Sequence, residues 1–292
     1  MTTAQDNLRG ALLMIGSMAA FTFNDAAFKT VADDLPLFQA IFLRGLIVTA
    51  GLFAVTGAMG QFTLRFSGHD WRMIGLRAVG EIGATATFLW ALFHMPIATV
   101  TAILQATPLV MTLAGAVLLG EKVGWRRWGA IVIGFGGVLL IVRPFGQGFS
   151  PYSLFVLGTL GFILLRDIPT RRLSRGVPSL MVALTAAVVI TAMGGLVTAT
   201  QAWVPVTSTA WLGIGAASAF ILVAYVLAVM VMRVGEIAVV QPFRYTAILW
   251  AILMGYLVFN EVPDTLTLLG AAVVVGMGIY TFYRERQIKG RS

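Results

Sequence analysis

The chain has no cysteine, which excludes disulfides and any thiolate metal site. It has two histidines, His69 and His94, too few and too far apart for a His-rich metal site. Charge is scarce as well: 11% of the 292 residues are Asp, Glu, Lys or Arg, against roughly 25% in a soluble domain. With 59% hydrophobic residues and a mean hydropathy of +0.91, no soluble core of this size could hide the apolar surface. Lipid must be the solvent for most of it. No Gly-Lys-Ser/Thr phosphate loop, metalloprotease helix or serine-hydrolase elbow is present, which argues against ATP drive and against those hydrolases. The net charge is +8, but the basic residues lie scattered between apolar runs, unlike the clustered footprint of a nucleic-acid binder.

What is present is a series of apolar runs. A helix needs about 20 such residues to cross a bilayer. Ten runs qualify: Leu8–Ala32, Leu37–Met59, Trp71–Leu92, Ala98–Leu119, Trp128–Val142, Tyr152–Leu165, Leu180–Ala199, Ala210–Met232, Ala238–Phe259 and Leu266–Tyr283. The fifth and sixth are short and need their polar flanks to continue the helix. The first lacks an A-x-A-like cleavage signal and is expected to be retained. The fold class is therefore all-α integral membrane. With both termini cytoplasmic, the inner loops collect 16 Lys and Arg and the outer loops only Lys29 and Arg143, with Arg44 and Arg244 inside helices. That asymmetry follows the positive-inside rule.

The chain also repeats. At a shift of 140, residues 71–121 lie on 211–261 without a gap and about eleven of the 51 positions match, including Trp71 with Trp211, Gly115 with Gly255 and Glu121 with Glu261. At a shift of 142, Asp25, Lys29 and Pro36 meet Asp167, Arg171 and Pro178. Two five-helix repeats follow, 1–145 and 146–292. Five is odd, so the second enters from the opposite face, the inverted layout of many secondary transporters.

The stretch from Ala98 to Val142 carries Pro108 in the fourth helix, Gly120-Glu121 at its end, and Trp128-Gly129-Ala130 followed by Gly136-Gly137-Val138 in the fifth. It resembles the EamA-type domain of the drug/metabolite transporter superfamily. The second half repeats the pattern in weaker form, with Asn260-Glu261 and Gly270-Ala271, and has Ile248 where Pro108 sits. The resemblance implies a multi-pass inner-membrane transporter without a cofactor, and within the superfamily it points to the YddG-like amino-acid exporters. The expected partners are a small-molecule substrate and the lipid bilayer, with no nucleic acid and a monomeric state.

Ionisable groups within a span are costly, so each is a candidate. Asp25 with Lys29, and Asp167 with Arg171, share helix faces at i,i+4 and read as gating ion pairs or as anchors of helix ends. Glu121 and Glu261 read as caps on a loop or helix start. Arg44, Glu81, His94 and Arg244 have no partner under the repeat. Glu81, about 15 Å into the third span, is a candidate for proton coupling or for an ammonium counter-ion, or else pairs with Arg44 or Arg244. The two arginines could clamp a carboxylate. His94 reads as a proton relay or an interfacial residue. Trp90, Gln105, Tyr225, Gln241, Tyr245 and Trp250 are candidates to line a central cavity. The reading is amino-acid export by alternating access. The rivals are uptake or exchange of an anionic or nucleotide-like metabolite and, from other classes, a membrane-embedded enzyme or a channel.

Overall fold

The computed structural model describes residues 4–63, 66–118, 120, 124–144, 146, 149–174, 176–234 and 237–289. The described residues contain helices but no strands. They are α1 (Ala4–Lys29), α2 (Leu37–Ala58), α3 (Gly68–His94), α4 (Ile97–Leu104), α5 (Thr107–Leu118), α6 (Trp125–Val142), α7 (Ser153–Arg171), α8 (Ser179–Thr198), α9 (Ser208–Val234), α10 (Ile237–Val240), α11 (Thr246–Phe259) and α12 (Thr265–Lys289). A 3₁₀ turn, Gln241–Tyr245, links α10 to α11. Ten membrane-length apolar spans result among the described residues, eight of them single helices and two composite, Ile97–Leu118 from α4 and α5 and Gln241–Phe259 from the 3₁₀ turn and α11. The two short runs lengthen to Trp125–Val142 and Ser153–Arg171, because the polar flanks do continue the helix.

The fourth and ninth spans are broken. Proline lacks a donor and clashes with the carbonyl four residues back. Pro108 therefore excludes a regular helix through Leu104, where α4 ends, and α5 restarts at Thr107. Pro242 has the same effect in the ninth span, where the backbone tightens into the 3₁₀ turn.

The strongest packing partners lie across the two halves: α1 on α9, α3 on α7, α2 on α8 and α6 on α12. Lipid gives no hydrophobic drive for helix association, so close backbone approach at small residues must supply dispersion instead. A Cβ on Gly80 would meet the Arg166 amide nitrogen at 2.5 Å, so glycine there lets α3 touch the α7 backbone. Gly137 and Gly270 do the same for α6 and α12. Toward the end that carries Lys29 and Glu261, Phe28, Ile41, Leu89, Leu92, Ile97 and Ile214 are fully buried in one cluster drawn from both halves.

Candidate functional site

The two helix breaks meet. The Gln105 side-chain amide, at the first break, donates to the Arg244 carbonyl, within the second, at 3.4 Å. These positions nearly correspond under the 140-residue shift. Gln241 opens the 3₁₀ turn and is half-buried. Tyr245 closes it and is buried, with its ring edge-on to Phe282 and its hydroxyl turned toward Gly278 of α12. The Arg244 guanidinium has no ion pair or hydrogen bond with any described residue. Asp167, Arg166 and Tyr245 lie within its electrostatic reach.

A buried amide organises the first pair of charges. Asn24 on α1 accepts from the Arg44 guanidinium at 3.2 Å and donates to the Asp25 carboxylate at 2.8 Å. The Arg44 guanidinium also lies over the Phe28 ring, 4.3 Å from its centroid. Such a cation–π contact is worth about 2 kcal/mol when desolvated. Arg44 thus has an amide and an aromatic face as partners but no carboxylate in contact.

Glu81 has different partners from those expected. Its carboxylate meets Arg77, one turn earlier on α3, at 3.0 Å and Arg166 of α7 at 3.8 Å, not Arg44 or Arg244. The Gly80 contact explains why: it draws α7 to within reach of the neighbouring side chain. Arg77 also donates to the Thr170 hydroxyl at 3.1 Å. Asp167 is held by Arg166 at 2.7 Å, and the expected pair with Arg171 is not formed; Arg171 is exposed, with no ion pair to a described residue. The Tyr225 phenol of α9 lies within electrostatic reach of Glu81, Arg166, Arg44 and Arg77, and its ring packs edge-on against Phe21 at 5.8 Å. Trp250 packs edge-on against Phe23 at 5.8 Å, and its buried indole nitrogen has no described partner. The charges thus form two groups, Asp25 and Arg44 joined through Asn24, and Arg77, Glu81, Arg166 and Asp167 between α3 and α7, with Arg244 at the second break within electrostatic reach of Arg166 and Asp167.

The Asp25–Lys29 pair also gives way to other contacts. Lys29 ends α1 and reaches past the helix to Glu261 at 2.6 Å and to the Met95 carbonyl at 2.6 Å. Phe259 lies beneath the ammonium, 4.8 Å from ring centroid. The other Glu261 oxygen accepts from the Ile97 amide at 3.0 Å. Glu261 therefore does cap a helix start, but that of α4, far away in the chain. Glu121 lies outside the described residues. A neighbouring bridge joins Arg143 to Asp264. Asp264 accepts from the Thr267 amide at 2.8 Å; that bond, and secondarily Arg143, hold its carboxyl below the usual range.

Two candidates sit apart from the breaks. His94 stacks on Tyr152, with ring centroids 4.4 Å apart, and its Nδ1 lies 2.7 Å from the Trp90 carbonyl. Trp90 packs against the imidazole in a tilted arrangement, with ring centroids 4.8 Å apart. Both are exposed near the Lys29 end of the molecule. Trp90 therefore does not line the central region with Tyr225 and Trp250.

Comparison with known proteins fits this architecture. Residues 8–143 match the EamA-like transporter family. The chain is 26% identical to an S-adenosylmethionine uptake transporter of Rickettsia conorii, over 98% of each chain. It is 29% identical to a riboflavin transporter of Vibrio cholerae, over 92% of this chain and 91% of that one. It is also 26% identical to the pseudopaline exporter CntI of Pseudomonas aeruginosa, over 91% and 93%. These relatives carry different cargoes, and their names include both uptake and export. The likeness therefore supports the superfamily without singling out the YddG-like amino-acid exporters. A crystal structure aligns with a TM-score of 0.67 at 20% identity, covering 95% of this chain and 98% of that one, which establishes the fold alone.

Proposed function

We propose that this chain is a secondary transporter of a bacterial inner membrane, working by alternating access between two inverted five-span halves. Its substrate is a small zwitterionic metabolite, amino acids among them, bound where the fourth and ninth spans break and moved out of the cytoplasm. One observation carries the reading: two interrupted helices, one from each half, meet at the Gln105–Arg244 contact. Paired breaks of this kind mark substrate sites in inverted-repeat transporters. Arg244 offers an unengaged guanidinium to a carboxylate, Asp25 offers a carboxylate to an ammonium, and Tyr225 and Trp250 offer ring faces. The Lys29–Glu261–Ile97 clamp and the packed cluster beneath it act as the closed outer gate, so this conformation faces inward.

Counterflow into proteoliposomes, screened across a metabolite panel at two pH values, tests the reading. Saturable exchange of a zwitterion above empty liposomes is expected. Flux equal to empty liposomes across the panel, or unitary currents in a planar bilayer, overturns it. A second reading, uptake or exchange of an anionic metabolite, draws support from Arg44 as well as Arg244, since neither has a carboxylate in contact. It requires the Arg44→Ala, Arg244→Ala double variant to lose anionic cargo while retaining neutral cargo.

A further inference from the structure

Away from the helix breaks, a lateral groove of about 290 Å³ runs between α6 and α12. Trp125 and Arg126 form its mouth. Gly129 lies on its floor, and Ile133, Met277 and Tyr280 wall it. A Cβ added to Gly129 would meet nothing within 4 Å, so the floor is open to the outside. From Trp125 to Ile133 the groove descends eight helical residues, about 12 Å.

Its position along the membrane normal is set by the spans. Trp125 is the first residue of one apolar span and Tyr283 the last residue of its neighbour, so this end of the groove lies at a membrane boundary. Trp125 is 78% exposed and Tyr283 61% exposed there, as interfacial aromatics are. The depth below is apolar and within the hydrocarbon.

Arg126 lines the mouth and Arg127 follows it on α6. Arg126 stacks on the Trp125 ring, 5.3 Å from centroid. Neither Arg126 nor Arg127 forms an ion pair with any described residue. The Arg127 Nε is buried and has no hydrogen-bond partner among them. A basic mouth at the interface above an open apolar channel matches a lipid in both of its parts.

We propose that this groove binds one anionic phospholipid, its phosphate on Arg126 and Arg127 and an acyl chain lying over Gly129 and against Ile133. Basic residues at a membrane surface attract anionic lipid with an energy that corresponds to about fivefold in affinity each. The complementary charge of the mouth and its interfacial depth favour lipid over a second protein.

The test uses the full-length purified chain with phosphatidylglycerol or phosphatidylcholine, reading retained adducts by native mass spectrometry and melting temperature in nanodiscs of each composition. The wild type should retain phosphatidylglycerol in preference and melt higher with it. Arg126→Gln with Arg127→Gln should lower that preference by more than tenfold, and the double lysine variant should keep most of it. Gly129→Leu, which fills the floor and leaves every charge, should also lower it. Arg72→Gln removes an exposed arginine elsewhere and should leave it unchanged. The proposal is overturned if phosphatidylcholine binds equally, if Arg72→Gln costs as much as the double glutamine variant, or if soluble glycerol phosphate competes as well as lipid. Normal binding in Gly129→Leu overturns the acyl placement. A variant that melts far below wild type in phosphatidylcholine alone is replaced by the lysine pair, whose failure to bind would count against the site.

Discussion

Lys29 and Glu261 stand 232 positions apart in the chain and meet at 2.6 Å. Between them they also hold both ends of the α3–α4 turn, Lys29 through the Met95 carbonyl and Glu261 through the Ile97 amide. One carboxylate and one ammonium thus tie three separate segments together. If this is the outer gate, Lys29→Glu or Glu261→Lys alone should reduce transport about tenfold or more by leaving like charges face to face. The double exchange should restore it. Failure of the double variant to exceed either single one would remove the pair from the gating role. Because the chain has no cysteine, Ala251→Cys in the buried cluster gives a clean probe. Its labelling by an impermeant maleimide from outside should rise in Glu261→Gln.

Arg244 should decide which charge the cargo carries. Arg244→Gln is expected to raise KM for a carboxylate-bearing substrate by roughly tenfold, the size of a charge-assisted hydrogen bond. It should change KM little for a neutral analogue, and melting should stay near wild type because no described partner is orphaned. Equal KM changes for both cargoes would take the guanidinium out of the binding site.

Gly80 allows the backbone contact that delivers Arg166 to Glu81. Gly80→Leu should separate α3 from α7 and destabilise the protein by about 1–3 kcal/mol. Glu81→Gln should cost a similar amount, about 3 kcal/mol, by leaving the Arg77 guanidinium without its carboxylate while Arg166 keeps Asp167. The two losses should be less than additive, since both act through one contact. Full additivity in thermal melts would show that Gly80 and Glu81 act separately.

Asp264 caps the start of α12 through the Thr267 amide. Its carboxyl is held below its ordinary value, so the folded form binds a proton less readily than the unfolded form. The cap therefore contributes fully above the usual carboxylate range and is lost as pH falls through the lowered value. Asp264→Ala should cost about 1 kcal/mol at neutral pH, and the difference from wild type should shrink in acid. A difference independent of pH would exclude the carboxylate as its source.

The ten spans were legible because twenty apolar residues are a local signal that lipid alone explains. The breaks at Leu104–Thr107 and at Gln241–Tyr245 were readable in principle, from Pro108 and Pro242 within otherwise helical runs. The ionic partners were not. Spacing puts Asp25 beside Lys29, yet Lys29 stands at a helix end with a long stem and finds Glu261, a loop residue that no local pattern places there. Glu81 likewise pairs across α3 and α7 because a glycine one position earlier has no side chain. Arg44 and Arg244 read as charges without a symmetry mate, and neither has a carboxylate in contact.

The cross-half packing bears on how the protein is made. The main partner of α1 is α9, which begins at Ser208. At 5–20 residues per second, α1 spends on the order of 10–40 s in the bilayer before that partner is synthesised. The same delay, at different lengths, applies to α2 with α8 and α3 with α7. The first five spans must therefore tolerate lipid on faces that later become protein, and assembly follows insertion as a separate step. A ribosome stalled after α6 would leave a membrane-inserted segment whose α1, α2, α3 and α6 lack their main packing partners.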